Sequence, residues 1–202
     1  MKSNRIYFDF PVLKTDRLIL RQIRQDDVGA IYGYKSESDD TFFPRVERHS
    51  DECETQVFIL RCLRDYYSQF GITWVLCLRD EDSAIGHVRI VSMERSGEVQ
   101  PHRAEISCAL SKAHRRRGLM YEARVRIISF YFQKHSEFIR LHSEVAADNV
   151  PSLEMNKKLG FQSEGVLRQY EKSGECYHDI VVLSLLRSDY VAHPAYERYR
   201  KA

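Results

Sequence analysis

Long apolar runs are missing from this chain, and so is any large excess of charge of one sign. No stretch of the 202 residues approaches 18 consecutive apolar side chains, the least that would let a helix cross a bilayer, so no membrane role is expected. The first ten residues, Met1 to Phe10, carry neither the uninterrupted apolar stretch nor the small-residue cleavage site of a secretory signal. Thirty-one Lys and Arg stand against 29 Asp and Glu, a formal net charge of +2. That is too small for a general nucleic-acid binder, so any basic function has to be local.

Paired cysteines are also absent. Cys53, Cys62, Cys77, Cys108 and Cys176 are odd in number, form no Cys-x-x-Cys pair and mostly sit in apolar runs. Reduced, packed thiols and a cytoplasmic location are the expectation. Eight histidines supply no His-x-x-x-His spacing, and His87, His102, His114, His135 and His142 are scattered over several elements, so no metal is expected. There is no Gly-x-Ser-x-Gly elbow and no Gly-x-x-x-x-Gly-Lys-Ser/Thr phosphate loop, which points away from serine hydrolases and P-loop nucleotide enzymes. No repeat, low-complexity tract or linker breaks the chain. With 43% hydrophobic residues it can bury a substantial core. One α/β domain over residues 8–188 with a tyrosine-rich tail over 189–202 is the expected organisation.

What is present is an alternation of strand and helix signals. Leu18 to Leu20 with Ile23 reads as a strand, followed by a helix capped by Asp26 or Asp27 that carries Val28, Ile31 and Tyr32 on one side. Ser50 to Phe70 reads as a second helix with Val57, Leu60 and Leu63 at helical spacing, ended by Gly71. Ile72 to Leu78 and Ala84 to Met93 read as a hairpin, and Ala104 to Leu110 as the next strand. A helix from Gly118 to about Lys134 follows, with Ala123, Ile127 and Tyr131 as its apolar stripe and Arg124 on another face. Phe138 to Val145 is a strand, and Asn149 and Pro151 start a short helix ending at Gly160. Strands over Phe161 to Tyr170 and Cys176 to Leu186 close the series, joined by a turn at Glu171 to Gly174. Trp74, Phe42, Phe43, Tyr66 and Tyr67 suit a core or the walls of a groove better than platforms for bases.

The local basic function sits at Arg115-Arg116-Arg117-Gly118-Leu119-Met120, between a strand and a helix. Amides at a helix start lack intrahelical acceptors and the helix dipole favours an anion there, while Gly118 lets a phosphate approach the backbone. A solvated basic turn has the same composition, so the surroundings decide.

Those surroundings resemble a known family. Arg-x-x-Gly-x-x opening a helix after a strand is similar to the acetyl-CoA pyrophosphate motif of the GNAT superfamily, Gln/Arg-x-x-Gly-x-Gly/Ala, with Met120 in the last place. Gly118-Leu119-Met120-Tyr121-Glu122-Ala123 resembles the RimJ/RimL branch, the ribosomal-protein alanine N-acetyltransferases. In the order of that branch come Lys14-Thr15-Asp16-Arg17-Leu18-Ile19-Leu20-Arg21, Ile85-Gly86 and Ala104-Glu105-Ile106-Ser107. Asn149-x-x-Ser152, Lys158-Leu159-Gly160-Phe161 and Glu164-Gly165-Val166-Leu167-Arg168 complete the match. The resemblance implies a GNAT fold, an α/β (α+β) domain with a mostly antiparallel, bent sheet of about seven strands. Helices would flank both faces, and a parallel pair of strands would splay to admit the cofactor.

It also implies acetyl-CoA as the acetyl donor and an amine as acceptor, by direct attack in a ternary complex. Ile106, Ser107, Cys108, Ala109 and Leu110 would pair their backbone with the pantetheine. Arg115, Arg116, Arg117, Gly118, Leu119 and Met120 would hold the pyrophosphate, and Asn149 would contact the pantetheine arm or cap its helix. Glu105 is the candidate base, its alternative being an ion pair with Arg103 or His102. Ser152 is the candidate hydrogen-bond or proton donor to the leaving thiolate, its alternative being to help start the helix. Asn156 occupies the place where many relatives carry a tyrosine acid. An α-amine is about one-tenth neutral at pH 7 and a lysine amine below about one-thousandth, so a protein N-terminus asks least of the base.

Three readings of function stay open: acetylation of a protein or peptide N-terminus (ribosomal-protein-alanine type), acetylation of a small amine such as a polyamine, amino sugar or antibiotic, and a silent acyl-CoA-binding module. Glu37, Asp39, Asp40 and Glu47 would favour cationic acceptors or are simply solvated. The expected state is monomer or homodimer.

Overall fold

The computed structural model describes residues 9–37, 48–93, 102–173 and 175–200. Its contacts divide the chain into two units. Residues up to 37, 49–91 and 107–124 form the first, and residue 48, 92–106 and 125 onward form the second.

In the first unit, β1 (Leu13–Lys14), β2 (Leu18–Gln22), β3 (Gly71–Leu78) and β4 (Gly86–Ser92) pair antiparallel in that order, with Leu20 opposite Leu76 and Val75 opposite His87. β3 is buried at every position but its last, which is why it is apolar throughout apart from Thr73. Helices α1 (Val28–Ser36) and α2 (Glu52–Tyr67) pack on one face of this sheet, where Ile31, Tyr34, Phe58, Ile59 and Cys62 meet Val75 and Cys77. Trp74 is fully buried and its indole N–H donates to the Pro11 carbonyl at 2.9 Å.

Helix faces differ from the sequence expectation. α2 buries Phe58, Ile59, Cys62 and Tyr66, while Val57 and Leu60 are exposed. Two apolar stripes compete on this helix, and the sheet takes the one offering an aromatic pair. α1 buries Ile31 as expected, with Val28 packed against the same core, but Tyr34 and Lys35 are buried in place of Tyr32. α2 starts as a cap should, with Asp51 accepting from the Glu54 amide and Glu54 accepting from the Ser50 amide. It ends at Tyr67, and just beyond it Gln69 takes φ 60° while the Phe70 amide returns to the Asp65 carbonyl. Gly71 therefore does not stop the helix, because it already belongs to β3.

One buried ion pair fixes the start of this unit. Arg21 of β2 is 5% exposed and grips Asp27, also 5% exposed, with two bonds of 2.9 and 2.7 Å, and its Nε reaches Asp82 at 2.7 Å. The hydrogen bond to Asp27 raises the guanidinium's affinity for its proton against the opposing effect of burial.

In the second unit, the first half of β5 (Arg103–Leu110) runs parallel to β6 (Arg140–Ala146), pairing only from Arg103 opposite Arg140 to Glu105 opposite His142. Beyond β6 lies β8 (Cys176–Leu186), antiparallel to it, and then β7 (Gln162–Ser173), antiparallel to β8 with two register shifts. β7 is longer than expected and runs on to Ser173. α4 (Val150–Lys158) leads into β7. The segment after β8 is helical, with α5 (Arg187–Ala192), a 3-10 turn at Pro194–Tyr196 and α6 (Glu197–Arg200). Tyr196 is fully buried and its hydroxyl donates to the Leu159 carbonyl at 2.6 Å. Arg187 donates to the carbonyls of Phe132 (2.8 Å) and Phe138 (3.0 Å), placing a cation at the C-terminal end of α3 (Leu119–Lys134).

Along the chain, hydrogen bonding orders the strands β1-β2-β3-β4-β5-β6-β8-β7, an eight-stranded, mostly antiparallel sheet whose parallel pair is β5 with β6. This matches the expected fold class, the eighth strand being the two-residue β1. On α3 the stripe of Ala123, Ile127 and Tyr131 is buried as expected, but Arg124 is buried with it at 1% exposure. No helix among the described residues is long and apolar enough to cross a membrane.

Removing one partner of the Arg21–Asp27 pair leaves a buried charge uncompensated, so Asp27→Ala is expected to lose about 3 kcal/mol in urea unfolding. A second expectation concerns acid. Hydrogen bonding from Arg140 holds Glu164 at about 2 against an ordinary 4.5. Its contribution is complete above the ordinary value and is lost as the pH falls toward about 2. Urea midpoints measured across that window are expected to fall less steeply in Glu164→Gln than in the parent.

Candidate functional site

The basic loop lies in the first unit, at the end of β5. Ser107 is exposed and Cys108, Ala109 and Leu110 are half-buried. The strand end is held by the Ser111 amide donating to the Ile85 carbonyl at 2.9 Å. At Gly86 a Cβ would come within 2.5 Å of the Ala109 carbonyl oxygen and 2.9 Å of Leu110 Cδ1. Close approach of β4 to this stretch thus excludes any side chain at residue 86 and accounts for the Ile85-Gly86 motif.

After a 3-10 turn at Lys112–His114 the backbone alternates in hand. Arg115 is extended, Arg116 takes φ 63° and Gly118 φ 73° before α3 begins at Leu119. Left-handed residues in such a turn make successive N–H groups converge into a concave donor set suited to an anion. Arg116 at positive φ is strained, and the strain is opposed by Arg17. That guanidinium donates from Nη1 to the Arg117 carbonyl at 2.9 Å and from Nε to Glu122 Oε2 at 2.7 Å, while the Arg17 amide donates to Glu122 Oε1 at 3.0 Å. Burial alone would raise the Glu122 pKa, but bonds from Thr15 and Arg17 outweigh it and hold the carboxyl below its ordinary value.

The three arginines divide their work. Arg115 turns inward, its Nε donating to the Leu110 carbonyl at 3.1 Å, whereas Arg116 and Arg117 are exposed. Leu119 and Met120 are buried at 4% and 8%, so they can offer a ligand only their backbone N–H groups.

In the second unit, the half-buried Glu105 of β5 stands opposite His142 of β6, so both side chains project on one face of the sheet. His142 Nε2 lies 2.8 Å from Glu144 Oε1. On the same face Arg140 holds Glu164 with two bonds, one of 2.6 Å, and Ser184 donates to Glu164 at 2.7 Å. Glu105 and Glu144 therefore share one face of the sheet with His142 at the end of the β5–β6 pairing. Sequence reasoning assigned no role to His142 or Glu144. Their i, i+2 spacing in a strand was visible, but the register that sets them beside Glu105 was not.

Asn149 is buried and caps α4, its Oδ1 accepting from the Ser152 amide at 3.2 Å. Ser152 is half-buried, and its hydroxyl makes no hydrogen bond among the described residues. Asn156 is fully buried and donates to the Ser152 carbonyl at 2.9 Å, so it braces the helix from within. Phe42, Phe43, Asp39, Asp40, Glu47 and the loop from Gly97 to Pro101 lie outside the described residues. Among the described residues no group of three or more His, Cys, Asp and Glu side chains is placed to hold a metal.

Comparison with known proteins agrees with this architecture. Residues 17–162 match the family described as the acetyltransferase (GNAT) domain. An N-acetyltransferase of Bacillus subtilis strain 168, YoaA, described as uncharacterised, is 32% identical over 180 residues, covering 88% of this chain and 98% of its own. The ribosomal-protein-S5-alanine acetyltransferase of Vibrio fischeri superposes with a TM-score of 0.76 at 18% identity, covering 89% of this chain and 98% of its own. RimL, a ribosomal L7/L12 alpha-N-protein acetyltransferase solved with coenzyme A, superposes with a TM-score of 0.75 at 16% identity, covering 87% and 97%. With a family match over most of its length, a strand order of the expected kind and a left-handed loop ahead of α3, the chain belongs to the GNAT family of acetyltransferases.

Proposed function

We propose that this acetyltransferase carries the acetyl group of acetyl-CoA to the α-amine of a protein or peptide N-terminus. The observation that carries the reading is the loop from Arg115 to Gly118, bent into a donor set and braced by Arg17. The N–H groups of residues 115–120 and the exposed guanidiniums of Arg116 and Arg117 suit a pyrophosphate. The backbone of Ile106 to Leu110 suits the amides of a pantetheine arm, and one of its N–H groups would polarise the thioester carbonyl. Asn149 would contact the same arm while it caps α4.

Glu105 takes the proton from the acceptor ammonium, and the freed amine attacks the carbonyl carbon. The carbon–sulfur bond breaks as the attacking nitrogen loses its second proton, and the Ser152 hydroxyl relays that proton to the departing thiolate, so that coenzyme A leaves as the free thiol. The RimL and S5-alanine enzymes among the structural neighbours act on ribosomal proteins, which supports a protein N-terminus as acceptor. The weak base such an amine requires supports it also.

A mass-spectrometric screen over N-terminal peptides and small amines is expected to find acetylated peptide N-termini. Acetylation of small amines alone would refute the acceptor class, and tight acetyl-CoA binding with no turnover on any amine would refute the transferase reading. Gly118→Ala puts a side chain at φ 73° in the loop, so its dissociation constant for acetyl-CoA in calorimetry is expected to rise about tenfold or more. Glu105→Gln is expected to bind acetyl-CoA normally while kcat falls about a hundredfold. Full turnover in that variant across pH 6 to 9 would remove Glu105 from the mechanism.

A further inference from the structure

Helix α2 of the first unit carries a second apolar stripe, on the side turned away from its core, that the proposed chemistry does not use. Inward, Thr55, Phe58, Ile59, Cys62 and Tyr66 are buried. Outward, Cys53, Val57, Leu60, Arg64 and Tyr67 follow one another at alternating steps of four and three residues, and all five are exposed. At 100° per residue they lie within about 80° of arc, centred opposite the buried set. Val57, Leu60 and Tyr67 are 65%, 53% and 72% exposed, in the place where a surface helix ordinarily carries charge. Steps of four and three are the repeat by which one helix seats its side chains between those of another. Beside Leu60 a cleft of about 270 Å³, lined also by Gln25, Gln56 and Ile59, leaves room for a side chain from such a helix.

Charge along the seam decides which helix fits it. Glu52 and Glu54 stand exposed in the first turn of α2, and Arg64 stands in the last. Asp65 is shared by Arg64 at 2.8 Å and Arg89 at 2.5 Å. One carboxylate thus serves two guanidiniums, and Arg64, its side chain 71% exposed, keeps positive charge to offer outward. A second copy of α2 laid antiparallel sets the acidic end of each helix beside the basic end of the other, and a two-fold axis makes that contact twice. A parallel copy would set Arg64 on Arg64 and Glu52 on Glu52, which is repulsive.

We propose that α2 is the contact face of a two-fold dimer of this chain, its outer stripe lying antiparallel on the same stripe of a second copy. Val57 of each copy meets Leu60 of the other at the centre. Arg64 of each copy lies over Cys53 of the other, between Glu52 and Glu54, and pairs with them. A helix of 16 residues is about 24 Å long and buries less than a standard interface, so the dimer is a weak one, with a Kd of about 10 to 100 μM. It holds whatever amine the enzyme acetylates, because the stripe has no part in the proposed chemistry.

The test is sedimentation equilibrium of the full chain from about 1 to 300 μM, which is expected to show a monomer passing into a dimer. Leu60→Glu sets two carboxylates at the centre of the seam and is expected to weaken the dimer about tenfold or more. Its urea midpoint is expected to match the parent's, since the position lies outside the core. Orientation is read by crosslinking. Val57→Cys and Leu60→Cys, each made with Cys53→Ser and Cys176→Ser to remove the exposed thiols, are mixed with oxidised glutathione, which takes up the two hydrogens as each disulfide forms. The covalent dimer joining one variant to the other is expected to exceed either homodimer, because the antiparallel seam sets residue 57 against residue 60. A chain that stays monomeric throughout, a dimer that Leu60→Glu leaves intact, or homodimers formed in preference to the mixed product would overturn the proposal.

Discussion

A single guanidinium, that of Arg17, holds together the segment on which the proposed chemistry depends. A loop that alternates between extended and left-handed residues aims its N–H groups at one point only while its backbone is kept from relaxing. Arg17 does this from outside, taking the Arg117 carbonyl with one arm and the Glu122 carboxylate with another. Glu122 sits in the first turn of α3, where a negative charge is favoured by the helix dipole. The same contacts join the start of β2 to the start of α3, 105 residues later in sequence. Gly86 imposes a matching constraint on the strand that feeds the loop, because nothing larger than hydrogen fits between it and the Ala109 carbonyl.

The second unit uses charge differently. Arg140 and Glu164 neutralise one another and take in Ser184, so the face they share with Glu105, His142 and Glu144 carries a fixed polar framework. This gives the Glu164-Gly165 part of the family signature a structural account: Glu164 is the counter-ion of Arg140, and Gly165 sits at φ 156° where the register of β7 against β8 shifts. Asn149 shows how a structural and a proposed functional role share one residue. Its Oδ1 caps α4 and accepts from the Ser152 amide, and the serine hydroxyl makes no hydrogen bond among the described residues.

Much of the fold was legible because local signals agreed. The mostly apolar run of β3, the helical spacing within Ser50 to Phe70 and the Pro151 start of α4 each pointed to one element, and each element is present. Helix faces were less legible. α2 offers two apolar stripes, and only the sheet it meets could choose Phe58, Ile59 and Cys62 over Val57 and Leu60. Arg124 was expected on an outer face by its charge, yet it is buried at 1% exposure. Charge alone does not determine depth when a long aliphatic stem packs against apolar neighbours.

The sequence by itself determined the family, the order of strands and helices from β2 to β8, and the position of the basic loop, because these rest on residues adjacent in the chain. Tertiary structure alone decided which distant residues act on that loop and which side chains share a face. Arg17 on the Arg117 carbonyl, His142 in register with Glu105, and the Tyr34 hydroxyl on His87 are contacts between elements far apart in sequence. Strand register and helix rotation set them, and neither is fixed by any residue's nearest neighbours.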